Sequence, residues 1–162
     1  MLLCVTDSNI WIDLHRGDLI DEAFLLPFEF MAPDVIIADE LLTPNGGELV
    51  QLGLQEKELS GKQVLMVVDL AKRYVRPSRQ DLFALVLARE TDAILLTGDG
   101  DLRNVAHEIS VEVHGTIWLL DQMVDRGIID KRERANSLER MIKSGSRLPK
   151  NEIKARLEPH SG

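Results

Sequence analysis

Residues 93–97, AILLT, form an unbroken apolar run that stops abruptly at GDGD, residues 98–101. A strand without polar alternates must be covered on both faces, which is the situation of a central strand in a parallel sheet. Residues 2–6, LLCVT, repeat the pattern and also stop at an acid, Asp7.

Helical patterns separate such runs. Ser8 or Asn9 caps a helix that carries Ile10, Trp11 and Leu14 on one side and stops at Gly17. A second helix is expected over residues 18–26, broken by Pro27, followed by a short strand near 29–32 and a helix that opens at Pro33 and contains Glu40. TPNGGE, residues 43–48, is the strongest turn signal and opens a surface loop or a new helix. LGLQEKEL, residues 52–59, reads as a strand, and Ser60 caps a helix through Tyr74 whose inward face is expected to carry Val64, Leu65, Val68 and Leu70 or Ala71. After Pro77, Ser78 and Asp81 form a capping box that opens QDLFALVLARE. A helix over 102–108, a last strand at Val111 and Val113, and a helix over 116–126 closed by Gly127 follow. From Asp130 the pattern is helical and charged, with Ala135, Leu138, Met141 and Ile142 on one side and a final short helix around Ile153 and Leu157; the last four residues are expected to be disordered.

Short apolar strands alternating with helices predict an α/β fold with a mainly parallel sheet. At 162 residues, 44% of them hydrophobic, the chain can bury one sizeable core but not two. No apolar run reaches the roughly 20 residues that cross a bilayer, and the first residues lack the basic and small-residue features of a signal peptide, so a cytoplasmic protein is expected. The lone Cys4 sits inside an apolar run and reads as a buried hydrophobe. A net charge of −8 excludes a protein that grips duplex nucleic acid mainly by neutralising phosphates. It does not exclude a nuclease whose bound cations supply the positive charge.

Functional groups of parallel α/β sheets collect beyond the carboxyl ends of the strands. Asp7 and Asp99 both stand at such ends, Glu40 lies in an apolar stretch, and Asp81 lies in a first helical turn. Hard divalent cations prefer oxygen ligands, and four acids from four elements suffice for one ion, or for two placed roughly 3.5 to 4 Å apart.

The motifs VTDSNIWIDL, VIIADELL, RQDLFALVLA and LLTGDGDLRNVA, in that order, resemble the four acidic motifs of the PIN-domain family, metal-dependent nucleases that include VapC-like toxins of toxin–antitoxin pairs. The tail GTIWLLDQMVDRGIID resembles a subgroup of the same family. The resemblance implies a three-layer α/β/α fold with a mainly parallel central sheet of about five strands, in which residues 1–130 form the nuclease domain and 131–162 a helical extension packed on it. It implies a metal site for Mg²⁺ or Mn²⁺ at Asp7, Glu40, Asp81 and Asp99, with Asp101 as a fifth acid and with Asn9 and Thr97 orienting the carboxylates. The activity implied is endoribonuclease cleavage of single-stranded RNA, with a small antitoxin protein as partner, a homodimer as assembly and no membrane association. The segment between Glu40 and Asp81 carries no motif that aligns.

Simpler roles stand beside these. Asp7 and Asp99 can cap the helices that follow them, and Asp81 fits a capping box. No pair among His15, His107, His114 and His160 has zinc-site spacing, so all four read as structural or exposed. Lys72, Arg73, Arg76 and Arg79 read as a solvated helix end; the functional alternative is that Arg76, Arg79 and Arg103 guide RNA phosphates. A haloacid-dehalogenase-like phosphatase is the rival enzyme, but its general acid two positions after the nucleophile is here Asn9. A Rossmann cofactor domain lacks its glycine motif. A catalytically inactive PIN-like binding module is the rival outside enzymology.

Overall fold

The structure, a computed structural model, describes residues 1–157. The expectation for the last four residues, and His160, lie outside them. In chain order the elements are β1 (Leu2–Thr6), α1 (Ser8–Arg16), α2 (Ile20–Ala23), β2 (Phe28–Pro33), α3 (Asp34–Asp39), α4 (Gly46–Leu52), β3 (Gln55–Lys57), α5 (Gly61–Arg73), α6 (Arg79–Thr91), β4 (Ile94–Leu96), α7 (Gly100–Glu108), β5 (Val113–His114), α8 (Thr116–Asp125), α9 (Lys131–Lys143) and α10 (Lys150–Leu157).

All strand pairs are parallel, in the order β3-β2-β1-β4-β5, with Cys4 of β1 opposite Phe30 of β2 and Ile94 of β4. The chain therefore runs outward from β1 to β3, crosses back, and leaves through β4 and β5. The direction of travel reverses between β1 and β4, which creates a crevice beyond their carboxyl ends. Asp7 follows one of these strands and Thr97 the other.

Burial explains the apolar runs. Cys4, Val5, Leu95 and Leu96 are fully buried. Below them α6 lies against β1, β2 and β4 and under α5 and α7, so Leu82, Ala84, Leu85, Val86, Leu87 and Ala88 are all buried and the helix is apolar nearly all round. On the other side α1, α8 and α9 pack together, with Trp11 stacked on Phe24 at 5.1 Å. Ser137 of α9 donates its hydroxyl to the Gly17 carbonyl, and Arg134 pairs with Asp121 at 2.8 Å.

Several expected boundaries shift, each for a local reason. The cap of α1 is Asp7, not Ser8 or Asn9, because its carboxylate accepts from the Ile10 amide. The helix expected over 18–26 shrinks to α2, since Asp18 adopts a left-handed φ of 57° that a helix cannot contain. Glu40 is not inside a helix but is the residue that ends α3. The inward face of α5 is Val67 and Leu70, whereas Val64 and Leu65 are exposed; with apolar residues all round VLMVV, the sequence leaves the helical phase undetermined. The last strand begins at Val113, and Val111 is buried in the preceding turn.

TPNGGE proves to open a helix: Asn45 caps α4 by accepting from the Glu48 amide at 3.2 Å. Gly46 is needed there for close approach, because a Cβ would lie 2.8 Å from Ile37 Cγ2 and 2.9 Å from the Ile37 carbonyl oxygen. Gly→Ala in a helix ordinarily stabilises. Here Gly46→Ala is expected to lose about 1–3 kcal/mol in urea unfolding through overpacking. Gly61→Ala, at a helix start with open space around it, serves as the control and should lose nothing.

Candidate functional site

Where β1 ends, the Asp7 amide donates to the Leu96 carbonyl at 3.2 Å and continues the sheet one residue further. This pins the side chain in the crevice, only 3% exposed. Its Oδ1 accepts from the Ile10 amide at 3.1 Å and its Oδ2 from the Thr97 hydroxyl at 2.5 Å. Burial pushes the Asp7 carboxyl up to about 7; the Thr97 and Ile10 hydrogen bonds oppose the shift, and the charges of Asp81 and Asp13 add to it.

Thr97 is itself fully buried. Its Oγ1 also accepts from the Asp99 amide at 3.1 Å. One hydroxyl thus links the carboxylate at the end of β1 to the backbone after β4. Asp99 caps α7 by accepting from the Leu102 amide at 3.0 Å.

Glu40 and Asp81 approach from other elements. Glu40 Oε2 accepts from the Ser8 hydroxyl at 3.3 Å. Partial burial raises its carboxyl most, and Asp81 raises it further. Asp81 completes the capping box of α6, accepting from the Ser78 amide at 3.0 Å. Burial again raises this carboxyl most, the Ser78 bonds oppose, and Asp99 adds to the rise. Asp81 is therefore felt by both Asp7 and Glu40, and Asp99 is felt by Asp81. Helix capping and mutual electrostatic influence coexist in these acids. Among the described residues, however, no three His, Cys, Asp or Glu side chains stand close enough to form a ready metal cage.

The remaining sequence-predicted residues are scattered over separate parts of the surface. Asp101, in the first turn of α7, pairs with Arg76 at 3.8 Å across an exposed gap. Asn9 is exposed and lines a crevice of about 540 Å³ with Asp99, Asp101 and Arg16; the hydroxyl that reaches a site carboxylate from this turn is Ser8's. Arg79 stands exposed at the start of α6. Arg103 points the other way from Arg76, into a separate cavity beyond Gly98.

Two residues were not anticipated. Ser8 is buried while its neighbour Asn9 is exposed, a distinction that the sequence does not display. Asp13 accepts from Thr116 at 2.8 Å and Ser146 at 2.7 Å, and burial first of all raises its carboxyl. Its signal was available: it sits three residues after Ile10 on the apolar side of α1.

A buried carboxyl raised from 3.8 to about 7 disfavours the folded state once it ionises. That penalty is absent below pH ~4, grows through the range up to pH ~7, and is complete above it. Asp7→Asn keeps the helix cap but carries no charge. In EDTA its stability gain over the wild type should be roughly 2 kcal/mol larger at pH 8 than at pH 5, read from denaturation midpoints. A gain that is independent of pH would contradict this.

A model of the PIN-domain family matches residues 3–161, extending through both C-terminal helices. No curated protein matches the chain. The all-parallel five-stranded sheet flanked by helices agrees with the fold that the motif resemblance implied. With nearly its whole length matched, the chain belongs to the PIN-domain family.

Proposed function

We propose that this protein is a metal-dependent endoribonuclease that cleaves single-stranded RNA and acts as the toxin of a toxin–antitoxin pair. PIN domains are in general nucleases, which supplies the coarse activity. The observation that supports the finer reading is the buried carboxyl of Asp7, held by Thr97 and Ile10, with Asp81 near enough for its charge to act on Asp7 and Glu40 and Asp99 near enough to act on Asp81.

The donor set fits a hard divalent cation. It is all oxygen and negatively charged, and the repulsion within it is relieved by a positive ion. The absence of a closed cage is compatible with Mg²⁺, which keeps several waters and takes only one or two protein carboxylates. Asp7, Glu40, Asp81 and Asp99 would hold such an ion, with Asp101 at the margin. When bound it would lower the pKa of an attacking water and neutralise charge on the scissile phosphate. The chain's own residues do the positioning. Thr97 Oγ1 fixes the rotamer of Asp7 and the backbone of Asp99, and Ser8 holds Glu40. Asp7 exchanges its proton near neutral pH, so cation affinity should rise with pH. Arg76, paired with Asp101, and Arg79, in the same helical turn as Asp81, are exposed and would guide the phosphate backbone.

The phosphatase reading finds Asp7 poorly placed as a nucleophile, since it is buried and both oxygens already accept hydrogen bonds. The toxin role, the antitoxin partner, the homodimer and a cytoplasmic site of action rest on small size and family likeness. Among the described residues, no helix is long and apolar enough to cross a membrane.

The purified protein should cleave single-stranded RNA with Mg²⁺ or Mn²⁺ and stop in EDTA. Asp7→Asn and Asp99→Asn should lose more activity than the roughly 10- to 100-fold expected for Thr97→Val, which removes a supporting hydrogen bond. Cleavage that survives both aspartate substitutions would sink the assignment. Growth arrest on expression, relieved by a small protein encoded alongside, is the check on the toxin role.

A further inference from the structure

The crevice that holds Asp99 does not end at the acids. Gly98, Asp13 and Arg147 line both that crevice and a second, more enclosed cavity of about 180 Å³, so the two spaces are adjacent. Arg103, His114 and Trp118 line the far part.

Two properties suit that cavity to a nucleotide. The first is a flat surface. His114, at the end of β5, stacks on Trp118 with ring centroids 4.4 Å apart and planes 9° apart. Trp118 in turn lies parallel to Phe28 at 5.7 Å. The imidazole edge is fixed by Glu112 at 2.9 Å, and the His114 side chain remains 31% exposed. The stack therefore ends on a rigid, partly open ring beside the cavity.

The second is uncommitted positive charge. Three acids line the cavity: Asp13 accepts from Thr116 and Ser146, Asp121 is shared by Arg134 and Arg156, and Glu152 is exposed. Among the described residues, neither Arg103 nor Arg147 is in an ion pair. Gly115 leaves room for one of them, since a Cβ there would come within 3.3 Å of an Arg103 terminal nitrogen. In a chain of net charge −8, two free guanidiniums beside a stacking face mark where a polyanion with flat bases can lie.

We infer that the cavity between β5, α8 and the α9–α10 turn is a nucleotide subsite of the RNA strand, His114 stacking one base while Arg103 and Arg147 hold the adjoining phosphates. This rests on the ribonuclease reading and adds a docking point one strand away from the acids. At about 180 Å³ the cavity is smaller than the roughly 300 Å³ and upward of ordinary ligand pockets, so it takes a single base while the backbone follows the wider crevice. It also gives the C-terminal helices a role, because Arg147 lies on the turn that Asp13 holds through Ser146.

The test uses short single-stranded RNAs with one abasic position walked along the strand, bound to the full-length protein in EDTA and low salt and followed by fluorescence anisotropy. The wild type should lose roughly tenfold affinity at one position and little elsewhere. His114→Ala should bind intact RNA that much more weakly and ignore the abasic position. His114→Phe, which keeps a stacking ring, should restore the dependence, and Arg103→Ala and Arg147→Ala should weaken binding to every strand and flatten its salt dependence. If the wild type binds and cleaves RNA while His114→Ala keeps the same abasic profile, the subsite is refuted and the nuclease reading stands. If the wild type neither binds nor cleaves RNA, both fall.

Discussion

The Thr97 hydroxyl, held between the Asp7 carboxylate and the Asp99 amide, is the contact on which the rest of the site depends. It is possible only because β1 and β4 are neighbours in register, so that their carboxyl ends finish side by side. A carboxylate at 3% exposure needs such partners, since burial without hydrogen bonds would be prohibitive. Once Asp7 is fixed there, the other acids inherit its environment. Asp99 is placed by its own amide on Thr97, Asp81 by the capping box of α6, and Glu40 by the end of α3 and the Ser8 hydroxyl. Each position has an ordinary structural reason. Among the described residues, none of the four acids is in an ion pair.

The strands that frame this space were the most legible part of the sequence. LLCVT and AILLT carry no polar alternates, and residues so uniformly apolar have only one stable position, in the middle of a covered sheet. The capping box at Ser78 and Asp81 was equally clear, because it is written in local spacing. Less legible were features set by tertiary contact. The inward face of α5 depends on which side α6 packs against, and the run VLMVV offers no unique phase. The left-handed Asp18 that shortens α2 leaves no mark in composition.

The site divides in the same way. Asp7 and Asp99 were identifiable because strand ends of a parallel sheet are where function collects, and Asp81 because of its cap. How near they come to one another, however, depends on the strand order. The order β3-β2-β1-β4-β5 follows from no local pattern. The role of Ser8 was hidden for the same reason, and of Asp13 only its place on the apolar side of α1 was readable, because their partners Glu40, Thr116 and Ser146 lie far off in sequence. His114 read as structural or exposed and is both in part, since it stacks on Trp118, pairs with Glu112 and stays 31% exposed; that it also lines a cavity is set by the fold.

What unites these observations is acidic charge near the strand ends, where Asp81 acts on Asp7 and Glu40 and Asp99 acts on Asp81; the proposed cation space lies between them. A cation entering that space should relieve the repulsion and release a proton from Asp7. Calorimetric titration of Mn²⁺ into the metal-free protein near neutral pH, repeated in buffers of different ionisation enthalpy, measures both effects at once. The account predicts saturable binding accompanied by proton release in the wild type, with both lost or sharply reduced in Asp7→Asn. Absence of saturable binding, or identical isotherms for the two proteins, would contradict it.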